Sequence, residues 1–214
     1  MSGLWDLSLH ETALRSTVGA SLGPSVIGLL VLAGGLSLKD DLACTAAMAG
    51  AMLALFAFLL TGHTSIHPDR WVLAPLLAIH LVIVAFWFGA LPALYIASKR
   101  ESAVVLVKLL DTFSVVATAL VPLIFLVGVA MAVILMASMA ILRQPYGEFL
   151  IAKMTSFAVL MGLASLNKWR LVPAIKNGGL SMLSALRRSV ATEYLFIFGL
   201  ITATAAMTAL FSPE

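Results

Sequence analysis

The chain has 214 residues, of which 62% are hydrophobic and only 11% charged, and its mean hydropathy is +1.08. Soluble domains hold about 45–50% apolar and about 25% charged residues, so this composition excludes a water-soluble globule. The net charge of +3 comes without a basic stripe interleaved with aromatics, which argues against a nucleic-acid partner, and the single cysteine excludes an internal disulfide.

In chain order, residues 1–16 mix charged and apolar side chains and read as an interfacial N-terminal segment. They lack the basic n-region and cleavage motif of a removable signal peptide. Residues 17–214 read as a single membrane domain. The fold class expected is all-α, a polytopic transmembrane helical bundle of about six spanning helices, since roughly 20 apolar residues cross a bilayer as a helix. The spans fall at about 17–38, 42–62, 71–97, 113–142, 149–166 and 190–211. Cys44, inside the second, is expected as a small buried hydrophobe. Pro24, Pro75, Pro92 and Pro122 interrupt apolar runs, where each frees a carbonyl and kinks its helix.

Lysine and arginine set the orientation. Lys39, then Lys99, Arg100 and Lys108, then Lys168, Arg170, Lys176, Arg187 and Arg188 fall on one side. The other side holds Arg15, Arg70, Arg143 and Lys153. The richer side is expected to be cytoplasmic, which puts both termini in the periplasm if the membrane is a bacterial inner membrane. The lipid bilayer is then the first partner of the chain.

The polar residues left inside or beside the spans are the candidates for chemistry. His63 and His67 are four apart and share a face if the second helix continues past Gly62. His80 lies roughly 13 Å along the third span from Trp71 at 1.5 Å per residue. An imidazole at that depth needs a partner, either a neighbouring helix carbonyl or a bound metal. His67, in the polar sequence Ser65-Ile66-His67-Pro68-Asp69, reads equally as an exposed loop residue. Met136 and Met139 are three apart at the outer end of the fourth span, and thioether is a soft ligand that suits Cu(I); methionine in a lipid-embedded helix is otherwise packing material. Glu193 sits about one turn into the last span, where an ion pair with Arg170 or Arg188 is the structural expectation and a proton or ion relay the functional one. Walker, dinucleotide-binding, nucleophile-elbow and His-Glu-x-x-His motifs are absent from the sequence, which gives no support to a soluble-type hydrolase or ATPase.

Several of these residues fall into an ordered series. Thr61-Gly62-His63 is followed by His80, then Trp87-Phe88-Gly89-Ala90-Leu91 and Phe113-Ser114. Tyr146-Gly147 runs on to Leu150 and Lys153, Asn167-Lys168-Trp169-Arg170 leads to Pro173, and Arg187-Arg188-Ser189-Val190 leads to Glu193. In this order the chain resembles the copper-resistance D (CopD) membrane family. The resemblance implies an inner-membrane protein that handles periplasmic copper by import or delivery, more a carrier than an enzyme. It implies His63 and His80 as copper-site residues and a periplasmic copper-binding protein as a possible donor; His67, Met136 and Met139 are added on ligand chemistry alone. Trp87, Tyr146, Lys153, Asn167, Arg170, Arg188 and Glu193 take structural or relay positions. The resemblance implies about eight spans, so the six expected here are about two fewer than the family pattern, the first two. A second resemblance, of His80 with Trp87-x-Gly89-x-Leu91 to HemJ-type protoporphyrinogen oxidases, leaves a haem b-binding oxidoreductase open, and a chain shorter than the family pattern leaves open a membrane subunit or assembly factor whose histidines are structural.

Overall fold

The structure, a computed structural model, describes residues 11, 15–39, 41–135, 145–179 and 181–210. These are helical almost throughout, and they fall into two compact units, one up to Val82 and one from Ile83. Four helical segments among the described residues are long and apolar enough to cross a membrane: Val18–Ser37, Leu42–Leu60, Arg70–Arg100 and Ala103–Leu135. Large apolar side chains stand exposed on these and later helices (Leu30 67%, Val115 73%, Leu195 67%). Water would penalise such a surface, whereas a bilayer solvates it without cost. The all-α fold is that of a polytopic membrane protein.

The first unit begins with α1 (Thr17–Ser37). Ser16 caps it, its side-chain oxygen accepting from the Gly19 N–H at 3.4 Å and so satisfying one of the orphan donors of the first turn. A short link leads to α2 (Asp41–Phe56). The two helices pack along a seam of small residues: Gly28 lies against Gly50 and Ala54, and Gly35 against Ala43 and Ala47. A Cβ placed on Gly28 would come within 2.7 Å of the Gly50 carbonyl oxygen and 2.9 Å of the Ala54 Cα. Spacings of four residues within Ala43…Ala47 and Gly50…Ala54 keep the small side chains on one face, and close backbone approach supplies the dispersion contacts that drive helix association in lipid. Because Ala43 and Ala47 occupy that seam, Cys44 is turned outward. It is exposed, contrary to the buried position expected, with its Sγ 4.0 Å from the Met48 Sδ.

A 3₁₀ turn (Ala57–Leu60) ends this hairpin, and Gly62 at φ 77°, a left-handed conformation open to glycine, admits the one-turn helix α3 (His63–Ile66). The long helix α4 (Arg70–Arg100) follows, its first part belonging to this unit.

The second unit takes the rest of α4, then α5 (Ala103–Leu135), α6 (Pro145–Leu166) and α8 (Met182–Leu210), with a short α7 (Val172–Lys176) between the last two. Helix α5 begins well before the apolar run at Phe113, because its first turns carry Lys108 and Asp111 beyond the apolar stretch. Between α6 and α7 the chain widens into a π-helical turn, Asn167–Leu171, closed by the Val172 N–H on the Asn167 carbonyl. Pro173 gives a physical reason. It donates no N–H, and its ring would collide with the Trp169 carbonyl of an undistorted α-helix. The buried core of this unit joins Leu91 and Leu94 of α4, Leu106 and Leu110 of α5, Leu160 of α6 and Leu186 of α8. Phe88 stacks on Tyr194 with ring centroids 4.6 Å apart.

Cation-rich segments that are distant in sequence meet at one end of this unit. Arg187, near the start of α8, donates from Nε to the Ser98 carbonyl and hydroxyl at 3.2 Å each, and from a terminal nitrogen to the same carbonyl. This guanidinium satisfies a carbonyl in the last turn of α4 that has no intrahelical donor. Lys176 pairs with Asp111 at 2.8 Å. These contacts bring the end of α4 to the start of α8, and α7 to the early turns of α5.

Candidate functional site

The second unit holds a cavity of about 230 Å³, lined by residues of α4, α5, α6, the π turn, α7 and α8. Its walls are largely apolar, from Leu91, Phe113, Val121 and Met161 among others. The polar groups on it are Trp87, Ser114, Thr118, Ser165, Asn167, Lys168 and Glu193.

Glu193 is the centre of this site. It is only 2% exposed and is one of the most deeply buried side chains described. Its Oε1 accepts a hydrogen bond from the Asn167 Nδ2 at 2.5 Å. The Trp87 indole neighbours the same carboxylate, its buried N–H meeting no partner within strict hydrogen-bond geometry. The Asn167 Oδ1 and the Ser189 hydroxyl, one helical turn before Glu193, are buried without a hydrogen-bond partner. At the cavity wall, Lys168 donates to the Thr118 hydroxyl at 2.6 Å.

The π turn makes this arrangement possible. An α-helix advances about 100° per residue, and a widened turn re-phases the side chains that follow. Asn167 and Lys168, adjacent in sequence, both reach the cavity, while Trp169 at 70% exposure stands at its rim.

The expected ion pair of Glu193 with Arg170 or Arg188 is not among the ion pairs of the described residues. Both arginines are exposed, and the carboxylate is held by an amide. Trp87 and Asn167, read as structural or relay residues, are brought to Glu193. Lys153 is half-buried on α6, and Tyr146 falls in the first turn of that helix.

The candidate metal ligands are placed differently. His63 opens α3 in the first unit. His67 follows that helix; its Nδ1 accepts the Asp69 backbone N–H at 3.1 Å and lies 3.8 Å from the Asp69 carboxylate. One nitrogen of His67 is thus engaged in shaping the loop, which leaves Nε2 as the atom available to a ligand. His80 is half-buried in α4. Met136 and Met139 lie outside the described residues. Among the described residues, no three or more of His, Cys, Asp and Glu come together as a metal cluster would require.

The second unit is thus a helical membrane unit with a buried carboxylate–amide pair opening on an apolar cavity. Residues 107–207 match the family described as Copper resistance protein D. The matched stretch takes in Asn167, Lys168 and Glu193, whereas His63, His67, His80 and Trp87 precede it. The chain matches no curated protein and no solved structure.

Proposed function

We propose that the chain is a copper-handling inner-membrane protein of the copper resistance D family, with α6 and α8 completing six spans. The observation that carries this reading is the family match over 107–207, supported by the ordered motifs from Thr61 to Glu193. Copper is the cargo, imported or transferred from the periplasmic side. His63 and His80 are its ligands, with His67 Nε2, Met136 and Met139 as further donors. Imidazole and thioether suit Cu(I), and passage between such ligands requires no nucleotide-driven machinery. A periplasmic copper-binding protein is the natural donor, because free copper is scarce and a ligand-to-ligand exchange moves it without releasing it.

The experiment is metal and haem analysis of the purified protein, beside cell copper content with wild type, His63→Ala and His80→Ala. Bound copper that His80→Ala abolishes, with copper accumulation falling in parallel, is the expected result. Unchanged binding and accumulation in both variants would sink the reading, and a Soret band with stoichiometric haem would replace copper by haem b.

A further inference from the structure

We propose that Glu193 is a proton-binding site of the second unit, taking up and releasing a proton through the cavity it shares with Asn167, Lys168 and Trp87.

The argument begins with what surrounds the carboxylate. A buried acid is normally held ionised by a partner cation, since removing a bare charge from water costs several kcal/mol. Glu193 is 2% exposed, and no ion pair of the described residues includes it. Its partner is an asparagine amide at 2.5 Å. An amide differs from a guanidinium in one decisive respect, because it carries a donor and an acceptor on the same rotatable group. Facing an ionised carboxylate it presents Nδ2. Facing a protonated one it turns through half a revolution, and Oδ1 accepts the acid proton. Both charge states of Glu193 then keep a hydrogen bond, and neither is locked by a neighbour. The Trp87 N–H, beside the carboxylate and without a partner of its own, is a further donor for the ionised form, and the unpartnered Asn167 Oδ1 is an acceptor for the protonated form or for a bridging water.

The route for the proton is the cavity itself. At about 230 Å³ it has room for several water molecules, each occupying about 30 Å³ in the liquid. Ser114, Thr118 and Ser165 supply hydroxyls along its wall. Among the described residues, helices α4, α5, α6 and α7 present no ionisable side chain to it, and the π turn presents only Lys168, whose ammonium is held by Thr118.

A proton fits this site better than a metal ion. A hard cation needs about six oxygen ligands, and a soft one needs several sulfur or imidazole donors, of which the described cavity lining offers only the Met161 thioether. Lys168 at the same wall also opposes a second fixed cation. Uptake is simple protonation: a water-borne proton adds to the carboxylate oxygen, the charge is cancelled, and release reverses both. What the bound proton drives rests on the transport reading above; the binding itself does not.

Infrared difference spectra of the purified full chain in lipid, recorded across a pH titration without copper, test this directly. Wild type is expected to show a protonated-carboxyl C=O band that appears and disappears with pH. Glu193→Gln, which keeps the shape and the Asn167 bond, is expected to lose it. Asn167→Ala should displace the midpoint by less than about one pH unit, the difference between a charge-assisted and a neutral hydrogen bond. A titrating band that persists unchanged in Glu193→Gln, or a spectrum with no titrating carboxyl in correctly folded wild type, would overturn the assignment. A protein that carries no copper still passes or fails this test on its own terms.

Discussion

The seam between α1 and α2 lends itself to a controlled perturbation, the same methyl group added at glycines that differ only in what they face. At Gly28 the new Cβ would sit 2.7 Å from the Gly50 carbonyl oxygen and 2.9 Å from the Ala54 Cα, all of it rigid backbone. Ordinary carbon contacts lie near 3.5–4.0 Å, so the helices must separate by about an ångström at this crossing. Overpacking of this kind costs about 1–3 kcal/mol, and the parted backbones also lose dispersion contacts that lipid does not replace in full. Gly34 and Gly23 of the same helix have nothing within 4 Å of a Cβ, so alanine there is neutral or stabilising by up to about 1 kcal/mol from helix propensity. Unfolding of the purified protein in mixed micelles, titrated with a denaturing detergent, gives the comparison. Gly28→Ala and Gly35→Ala should unfold earlier than wild type, and Gly34→Ala should not. Equal stability of Gly28→Ala and Gly34→Ala would refute the close approach of the two helices.

Two further variants probe the other unit. Arg187→Ala removes the side chain that satisfies the Ser98 carbonyl and should destabilise by about 1.5–3 kcal/mol in the same assay, whereas exposed Arg188→Ala should stay near wild type. Lys176→Ala breaks a half-exposed ion pair with Asp111 and should cost less than about 1 kcal/mol, with the difference from wild type shrinking as salt is added.

Much of the second unit could be read ahead of its structure. Glu193 stands out in the sequence as an acid in an apolar span, Asn167 and Trp87 are marked only by the family motifs, and the fold brings the three together. The partner of Glu193 was misjudged because sequence displays charge and hides direction. Arg170 and Arg188 are the obvious counter-charges, yet both face outward, and the π turn brings a neutral amide inward instead. Pro173 was visible, but its effect on the turn before it depends on how the chain continues. In the first unit the seam was written in Ala43…Ala47 and Gly50…Ala54, a small-residue pattern masked by general apolar content. Cys44 was misplaced for the same reason, since burial in a bilayer follows the seam rather than hydropathy. The histidines proposed as ligands are the least legible part: a shared environment for them would require knowing how distant segments pack, and spacing within one segment does not report it.

The widened turn at Asn167–Leu171 also sets what changes in length this region tolerates. Each residue of a helix is worth about 100° of rotation, so removing one residue there would restore an ordinary helix and swing one side of the junction by that angle. The stretch Pro145–Leu166 would then point a different stripe at its neighbours, or Asn167 would leave Glu193. A conservative exchange of any one side chain in the turn leaves the phase intact. Reading frame along the helix, more than the identity of each residue, is what this turn protects.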